Sequence, residues 1–300
     1  MGHRLRVATL NLWNRSGPWP ERLALIRYEL RRLLPDVVGL QEVLRRVPEG
    51  EPADGAWSVP DHVVDDGRAD QASVVAAGTH PFVAYGRAMD YGGGLAFGNA
   101  IASRYPILEH RVFQLPGQET GEGRSLLYAL VDHPAGLLPV FVTHLNWKLH
   151  HGSVRLRQVR FVCECVRERA PVTEDRDDRL PPVVMGDFNA SPDADEIRYM
   201  VGLATLDGKS VYFADAWTYG GDGTPGYTFD RKNRFAALAH EPPRRIDYIF
   251  VRGPDSKLRG EPLETRLAFA ESVPGEGGPL WPSDHFGLVT DLSVDPQSWG

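Results

Sequence analysis

The stretch VVMGDFNASP, residues 183–192, decides the fold. An apolar run reaches a glycine, places Asp187, Phe188 and Asn189 together, and breaks at Ser191-Pro192. A short apolar run that ends in turn-forming residues predicts a buried strand whose C-terminal end reaches the surface. We therefore expect this strand to deliver Asp187 and Asn189 to solvent and substrate.

Outward from this strand, short apolar segments joined by Gly or Pro turns outnumber helical patterns. Strands outnumbering helices favours two mixed sheets packed face to face with helices outside, a four-layered α/β/β/α sandwich. No repeat or linker divides the sequence, so residues 1–300 are expected to form a single domain. The predicted strands are 4–13, 36–43, 82–87, 94–104, 111–115, 124–132, 138–147, 183–187, 244–252, 265–270 and 283–294, and the predicted helices are 21–34, 71–78 and 154–169.

The overall composition is that of a globular protein, with 42% hydrophobic and 24% charged residues among 300. A formal net charge of −7 and a pI of about 5.8 provide no global field that attracts nucleic acid or anionic membrane. Cys163 and Cys165 are the only cysteines, and two residues apart in a helix they predict reduced thiols rather than a disulfide. The N-terminal residues lack a secretory pattern and no run is long enough to cross a membrane. We expect a cytoplasmic location, no transmembrane segment and no obligate protein partner.

Several apolar strands share one feature, a carboxylate, carboxamide or imidazole at their end. A buried carboxylate is costly unless it is paired, hydrogen-bonded or bound to metal. Taken singly, each residue has a structural alternative: a turn, a packed histidine, a helix cap or an ion pair. A shared site explains all of them together. The residues are Asn11, Glu42, His144, Asp187, Asn189, Asp247, Asp284 and His285.

Metal-assisted attack of water on a phosphate uses this set of side chains. Carboxylate and carboxamide oxygens suit a hard cation such as Mg²⁺ or Mn²⁺, whereas Zn²⁺ favours more His and Cys. The cation neutralises phosphoryl charge, a His or Asp deprotonates the water, and imidazoles and amides hydrogen-bond the other phosphate oxygens.

The order and wording of seven segments resemble the endonuclease/exonuclease/phosphatase superfamily, which has the DNase I-like fold. The resemblance spans residues 5–292 and implies a divalent-metal phosphoesterase with its site at one end of the paired sheets. The segments are TLNLWN, LQEV, GNAIASRYPI, THLNW, GDFNASP, RRIDYIF and WPSDHFGL.

The resemblance implies a metal site as well as catalytic groups. Glu42 matches the metal-binding glutamate, with Asn11 beside it, and Asp284 matches an aspartate that lies near the metal or reaches it through water. Some repair-type members carry an acidic residue where this sequence has Trp13. A second metal ligand is not expected at this position. Trp13 is predicted either to form an aromatic wall of the site or to pack inside the fold.

The resemblance also implies five catalytic residues. Asp187 and Asn189 match the pair that positions the attacking water and the phosphate. His285 matches a histidine that contacts phosphate or acts as base, and Asp247 matches the aspartate that polarises it. His144 matches a histidine directed towards the leaving group. The choice of Asp187 or His285 as general base stays open.

The substrate is predicted from the loops, because the fold serves many phosphate esters. Substrate contacts are predicted for Asn99, Arg155, Tyr227 and Arg231; an ordinary helix start or surface loop is the alternative for the last three. The acidic charge favours a small phosphodiester over general DNA degradation, although lipid headgroups and nucleic acid remain substrate classes. The alternatives are an endonuclease or exonuclease on DNA or RNA, and a non-catalytic binding module.

Overall fold

The computed structural model describes residues 4–171 and 178–295. The strands are β1 Arg4–Asn11, β2 Val37–Arg46, β3 Gly55–Ser58, β4 Phe82–Asp90, β5 Leu95–Ser103, β6 Ile107–Gln114, β7 Ser125–His133, β8 Gly136–His144, β9 Val183–Asp187, β10 Ala214–Asp215, β11 Asp247–Val251, β12 Pro262–Ala268 and β13 Gly287–Ser293. The helices are α1 Trp19–Leu33, α2 Gln71–Ala76, α3 Gly152–Arg169, α4 Asp195–Met200 and α5 Ala216–Gly220.

The strands form two mixed sheets, as expected. One has the order β12-β13-β1-β2-β5-β4-β3 and the other the order β10-β11-β9-β8-β7-β6. The short elements β3, β10, α4 and α5 were not predicted as separate elements, because a few residues carry too little periodicity. The charged segment 172–182, which the sequence places between a helix and a strand, lies partly outside the described residues.

The apolar layer between the two sheets is formed by the side chains that each sheet directs towards the other. Val142, Met185 and Ile249 on one sheet pack against Val37 and Ile101 on the other. A side chain at Gly39 would lie 2.7 Å from Val142 Cγ2, so the two sheets approach closely here. Helices cover the outer faces.

The outer helices complete the four layers. Ile26 and Leu30 of α1 pack on Leu10 and Leu40 of the first sheet. Val159 of α3 packs in a cluster with Phe141 and Val184 of the second sheet. The α/β/β/α sandwich is therefore confirmed.

Two parallel strand pairs bring polar strand ends to one edge. β1 pairs with β2 and β8 with β9 in parallel, and the helix α1 or α3 joins each pair. The parallel register places Asn11 beside Gln41 and His144 beside Asp187. The antiparallel strand β11 begins with Asp247 opposite Asp187.

The remaining sequence expectations concern thiols and membranes. Cys163 and Cys165 are free and buried. Within residues 4–171 and 178–295, no helix combines the length and apolar character that crossing a bilayer requires.

Candidate active site

Asp187 lies at the centre of the polar edge. Its Oδ2 lies 3.0 Å from Asn11 Nδ2, 3.4 Å from His144 Nε2 and 3.8 Å from His285 Nε2. Its Oδ1 accepts the backbone N–H of Asn189 at 2.9 Å. Burial and the charge of Asp247 raise the pKa of Asp187 to about 6. The structure thus brings the predicted catalytic residues around one carboxylate.

His285 is held between acidic groups. Its Nδ1 lies 2.9 Å from Asp247 Oδ2, and Asp247 is fully buried with its backbone N–H on the Thr228 hydroxyl at 3.1 Å. Burial alone would lower the pKa of His285, but Asp247, Asp284 and Asp187 together raise it well above its usual value. This geometry therefore favours the protonated imidazole of His285.

The surroundings of His144 favour the neutral imidazole instead. The Arg124 guanidinium donates to His144 Nδ1 at 3.0 Å, and both side chains are buried. Because arginine stays protonated, Nδ1 must accept, which leaves the imidazole proton on Nε2 facing Asp187. Burial, then the charges of Arg124 and His285, lower the pKa of His144 well below its usual value. His144 is a neutral donor.

Glu42 and Asp284 form a second acidic group beside Asp187. Burial is the largest cause that raises the pKa of Glu42, and it raises that of Asp284 to about 6, with the Glu42 charge adding to the latter. Glu42 is held by Asn11 Nδ2 and Asn14 Nδ2, each at 3.3 Å. The charge of Glu42 opposes the ionisation of Asp284, and a carboxylate in such surroundings fits a bound cation, as the chemistry of hard-cation sites requires.

The side chain of Asn11 departs from its predicted ligand role. Its Oδ1 accepts the backbone N–H of Trp13 at 2.9 Å, while its amide NH₂ faces Glu42 and Asp187. In this orientation Asn11 positions the Glu42 and Asp187 carboxylates rather than supplying an oxygen ligand to a metal. Asp187, Asp247 and His285 also offer ligand atoms within 4.8 Å of one another, but a hydrogen bond already joins two of them.

Left-handed backbone conformations cluster at the site. Positive φ angles occur at Trp13 (53°), Asn14 (39°), Glu42 (57°) and Asn189 (51°), where non-glycine residues pay a steric cost. Buried Arg22 ties this loop down by donating to Pro282 O at 3.1 Å and to the carbonyls of Ser16 and Leu12. The conformations are therefore held by the surrounding structure.

Trp13 packs rather than standing free. Its ring lies 5.0 Å from that of Phe235 and under the Arg22 guanidinium at 4.9 Å. This supports the packing alternative, with Trp13 half-buried beside the site.

One predicted substrate contact is corrected. Arg155 is buried, with Nε on Glu196 at 2.6 Å and Nη1 on the carbonyls of Asn146 and Lys148, so its charge is used inside the fold and is not available to substrate. Asn99 is buried and donates to Ser125 O at 3.0 Å, which ties the two sheets together. Its predicted contact with substrate stays a prediction.

Tyr227 and Arg231 lie on an exposed loop that borders the site. Thr228 of this loop anchors Asp247, and the Phe229 ring lies 5.0 Å from the His285 ring. Their predicted role in substrate binding stays a prediction.

Sequence patterns missed the residues that support the named ones. Arg124, Asn14, Thr228 and Ser283 bond to His144, Glu42, Asp247 and the backbone of Asn11, respectively. Asn14 and Ser283 stand within the quoted TLNLWN and WPSDHFGL segments, so their side-chain types were usable signals. Arg124 and Thr228 lie outside the seven segments and gave none.

A model of the Endonuclease/Exonuclease/phosphatase family matches residues 8–285, a range that contains every catalytic candidate. The chain belongs to this family. This family membership confirms the resemblance that the seven segments indicated.

One curated family relative is the CCR4-NOT transcription complex subunit 6-like protein of Danio rerio. It is 28% identical over 192 residues, which cover 53% of this chain and 34% of the relative. The match therefore spans about a third of the length of that relative.

Solved structures of other family proteins share the fold. TDP2 of Danio rerio, complexed with a single-strand DNA product, has a TM-score of 0.65 at 21% identity, over 97% of this chain and 99% of that chain. The human Nocturnin catalytic domain with bound sulfate has a TM-score of 0.61 at 17% identity, over 97% and 93%. At these identities the likeness shows the fold alone.

Proposed function

We propose that this family member hydrolyses a phosphodiester by attack of a water molecule that Asp187 deprotonates. The observation that carries the proposal is the convergence on Asp187 Oδ2 of Asn11 Nδ2, His144 Nε2 and His285 Nε2, at 3.0, 3.4 and 3.8 Å. The two imidazole contacts are longer than ordinary hydrogen bonds, so both N–H groups can turn to a phosphate oxygen placed between them.

The protonation states support separate roles. With a pKa of about 6, Asp187 is ionised at neutral pH yet basic enough to take a proton from water. His285, held protonated by Asp247, would donate to the phosphate or to the leaving oxygen. His144, neutral on Arg124, would donate from Nε2.

Asn189 and Asn11 would orient these groups. Asn189 holds Asp187 Oδ1 through its backbone N–H and anchors its amide on Leu145 O at 3.1 Å. Asn11 holds the other carboxylate oxygen. The base would therefore keep one direction towards the attacking water, which is a large part of catalysis by positioning.

Glu42 and Asp284 would hold the divalent cation, either Mg²⁺ or Mn²⁺. When bound, that cation supplies positive charge to the phosphoryl oxygens. Asn14 and Asn11 would keep the Glu42 carboxylate in place, and Ser283 lies within 3.2 Å of Asp284 Oδ1.

The favoured substrate is a small phosphodiester. The net charge of −7 opposes the many distributed phosphate contacts that a general DNA-degrading enzyme needs. A single charged centre, such as the one around Asp187 and His285, suits one phosphate group.

A second candidate substrate is a single-stranded nucleic acid end. Tyr91, Trp147 and Tyr227 are exposed on segments that border the site, and the Tyr91 ring packs on Phe97, which contacts His144. Exposed aromatic rings stack on bases of any sequence. The likeness to TDP2, complexed with a single-strand DNA product, supports the same class.

Hydrolysis of bis(p-nitrophenyl) phosphate and p-nitrophenyl phosphate with Mg²⁺, Mn²⁺ or chelator tests the proposal. Asp187→Asn should lower kcat/KM on the diester by about 10²- to 10⁴-fold, the usual contribution of a general base. Asp132→Asn, an exposed aspartate at the other end of β7, serves as the control and should keep activity.

Each outcome separates the candidates. Near-normal diester hydrolysis by Asp187→Asn would remove Asp187 as the base. Hydrolysis of single-stranded oligonucleotides at a kcat/KM far above that of bis(p-nitrophenyl) phosphate would favour the nucleic acid substrate. Equal rates on the monoester and diester would contradict a phosphodiesterase.

A further inference from the structure

A second concave region lies at the opposite edge of the sandwich from the proposed active site. This cavity of about 1000 Å³ is lined by residues that precede β9 and follow β11, including Pro181 and Arg252. Arg252 follows Asp247 by five residues along an extended strand, a separation of about 16 Å at 3.3 Å per residue. The cavity is therefore separate from the catalytic groups.

Positively charged side chains outnumber negatively charged ones among the described residues that line the cavity. Arg167, Arg179 and Arg252 line it, and none of their guanidinium groups forms an ion pair with residues 4–171 or 178–295. Two acidic residues stand among the described lining residues, and each already pairs with an arginine: Glu164 with Arg160 at 3.4 Å and Asp255 with Arg259 at 2.7 Å.

The surroundings of two of these arginines are energetically unfavourable for a charged guanidinium group. Burial lowers the pKa of half-buried Arg252, and the charge of Arg167 lowers it further. Arg179 Nε is buried without a hydrogen-bond partner among the residues that the structure describes. Buried charges are normally paired, so an anion beside Arg252 would offset the cost of burying its charge.

The walls add an apolar surface beside this charge. Pro139, Leu180, Pro181, Tyr199 and Val211 line the same cavity. A volume of this order, with apolar walls beside charged groups, holds a small organic molecule.

We propose that this cavity binds an organic phosphate of mononucleotide size, with its phosphate between Arg252 and Arg167 and its ring system against the proline and tyrosine walls. Arginine suits this task because its planar guanidinium donates two parallel hydrogen bonds to a phosphate. The site needs no catalytic residue and is independent of the proposed reaction.

Isothermal titration of the full chain with AMP, adenosine and inorganic phosphate, in the presence of chelator, tests the proposal. We expect AMP to bind at one site per chain and both partial ligands to bind more weakly. Arg252→Met and Arg167→Met should each weaken AMP binding by at least about tenfold, the loss of one charge-assisted hydrogen bond. Arg198→Met, an exposed arginine on α4 that does not line the cavity, should not change it.

Two further measurements keep the result unambiguous. Arg252→Met should melt no lower than the wild type without ligand, because it removes an unpaired charge, and should leave hydrolysis of bis(p-nitrophenyl) phosphate unchanged. Arg167 is exposed, so its variant folds even if that of Arg252 does not.

Several results would overturn the site. Absence of AMP binding at millimolar concentration would do so, as would AMP binding that both arginine variants retain. Adenosine that binds as tightly as AMP would show that the phosphate does not contribute to binding. Inorganic phosphate that binds as tightly as AMP would show that the ring system does not contribute. Loss of binding in His285→Ala instead of Arg252→Met would place AMP in the proposed active site.

Discussion

Gly186, the residue before Asp187, is predicted to contribute to both stability and activity. Its φ is +143°, and an added Cβ would lie 1.9 Å from the carbonyl oxygen of Thr143 on the neighbouring strand β8. Gly186→Ala therefore forces the two strands that carry His144 and Asp187 apart. Few single changes act on both catalytic strands at once.

The size of the effect follows from these distances. An ordinary carbon to oxygen approach is about 3.3 Å, so β8 must retreat by about 1.4 Å. Ladder hydrogen bonds of about 2.9 Å would then exceed 4 Å and break locally, at about 0.5–1.5 kcal/mol each. The positive φ costs about 1–3 kcal/mol more. We expect the free energy of unfolding to fall by at least about 3 kcal/mol, or about 6 °C in Tm.

The activity should fall further than the stability alone explains. A misplacement of about 1 Å between catalytic groups can cost about 100-fold, so kcat/KM on bis(p-nitrophenyl) phosphate should drop by that factor at temperatures where the variant is folded. Gly223→Ala is the matched control: its φ is +81° with no atom within 4 Å, so it bears the backbone cost without the clash. If the two variants melt and turn over alike, the clash argument is wrong.

Further predictions concern the charged groups of the site. Glu42→Ala should raise the Mg²⁺ or Mn²⁺ concentration for half-maximal activity by at least about tenfold; an unchanged titration curve would remove Glu42 from the ligands. A chelator should stop turnover without changing the circular dichroism spectrum, whereas unfolding would indicate a structural ion. Arg124→Met should raise the pKa of His144 and lower kcat/KM by about tenfold, and an unaltered imidazole ¹⁵N spectrum would contradict the tautomer assignment. Asp247→Asn removes a charge that raises the pKa of His285, so the alkaline limb of the kcat/KM profile should move to lower pH; a limb that stays fixed would show that His285 does not control it.

Sequence patterns predicted the strands that carry the site because those strands are apolar runs with polar ends. β8 and β9 were expected at 138–147 and 183–187 and occur at Gly136–His144 and Val183–Asp187. Their boundaries need only the change from buried to polar residues. The two-sheet architecture followed from the number of such runs, since sheets with short connections must pack on one another to bury a face.

Side-chain partners were harder to predict, and α3 shows the reason. Its apolar residues Val159, Val162 and Val166 are buried, but Arg155 is buried on the same helix and paired with Glu196 of α4. The sequence pattern treats arginine as a solvent residue, and nothing local tells that a second helix will supply a carboxylate. Burial of a charge depends on its partner, which comes from a distant part of the chain.

Register explains why the site residues were recognisable while their contacts were not. Asp187 meets His144 across a parallel pair and Asp247 across an antiparallel pair, so three strands must align at one residue. A slip of one residue would turn Asp187 to the opposite face, because side chains alternate along a strand. Residue type alone marks Asp187 and His144 as chemical groups. Their meeting at 3.4 Å depends on strand alignment, which the apolar cores on both faces of the sheet hold in place.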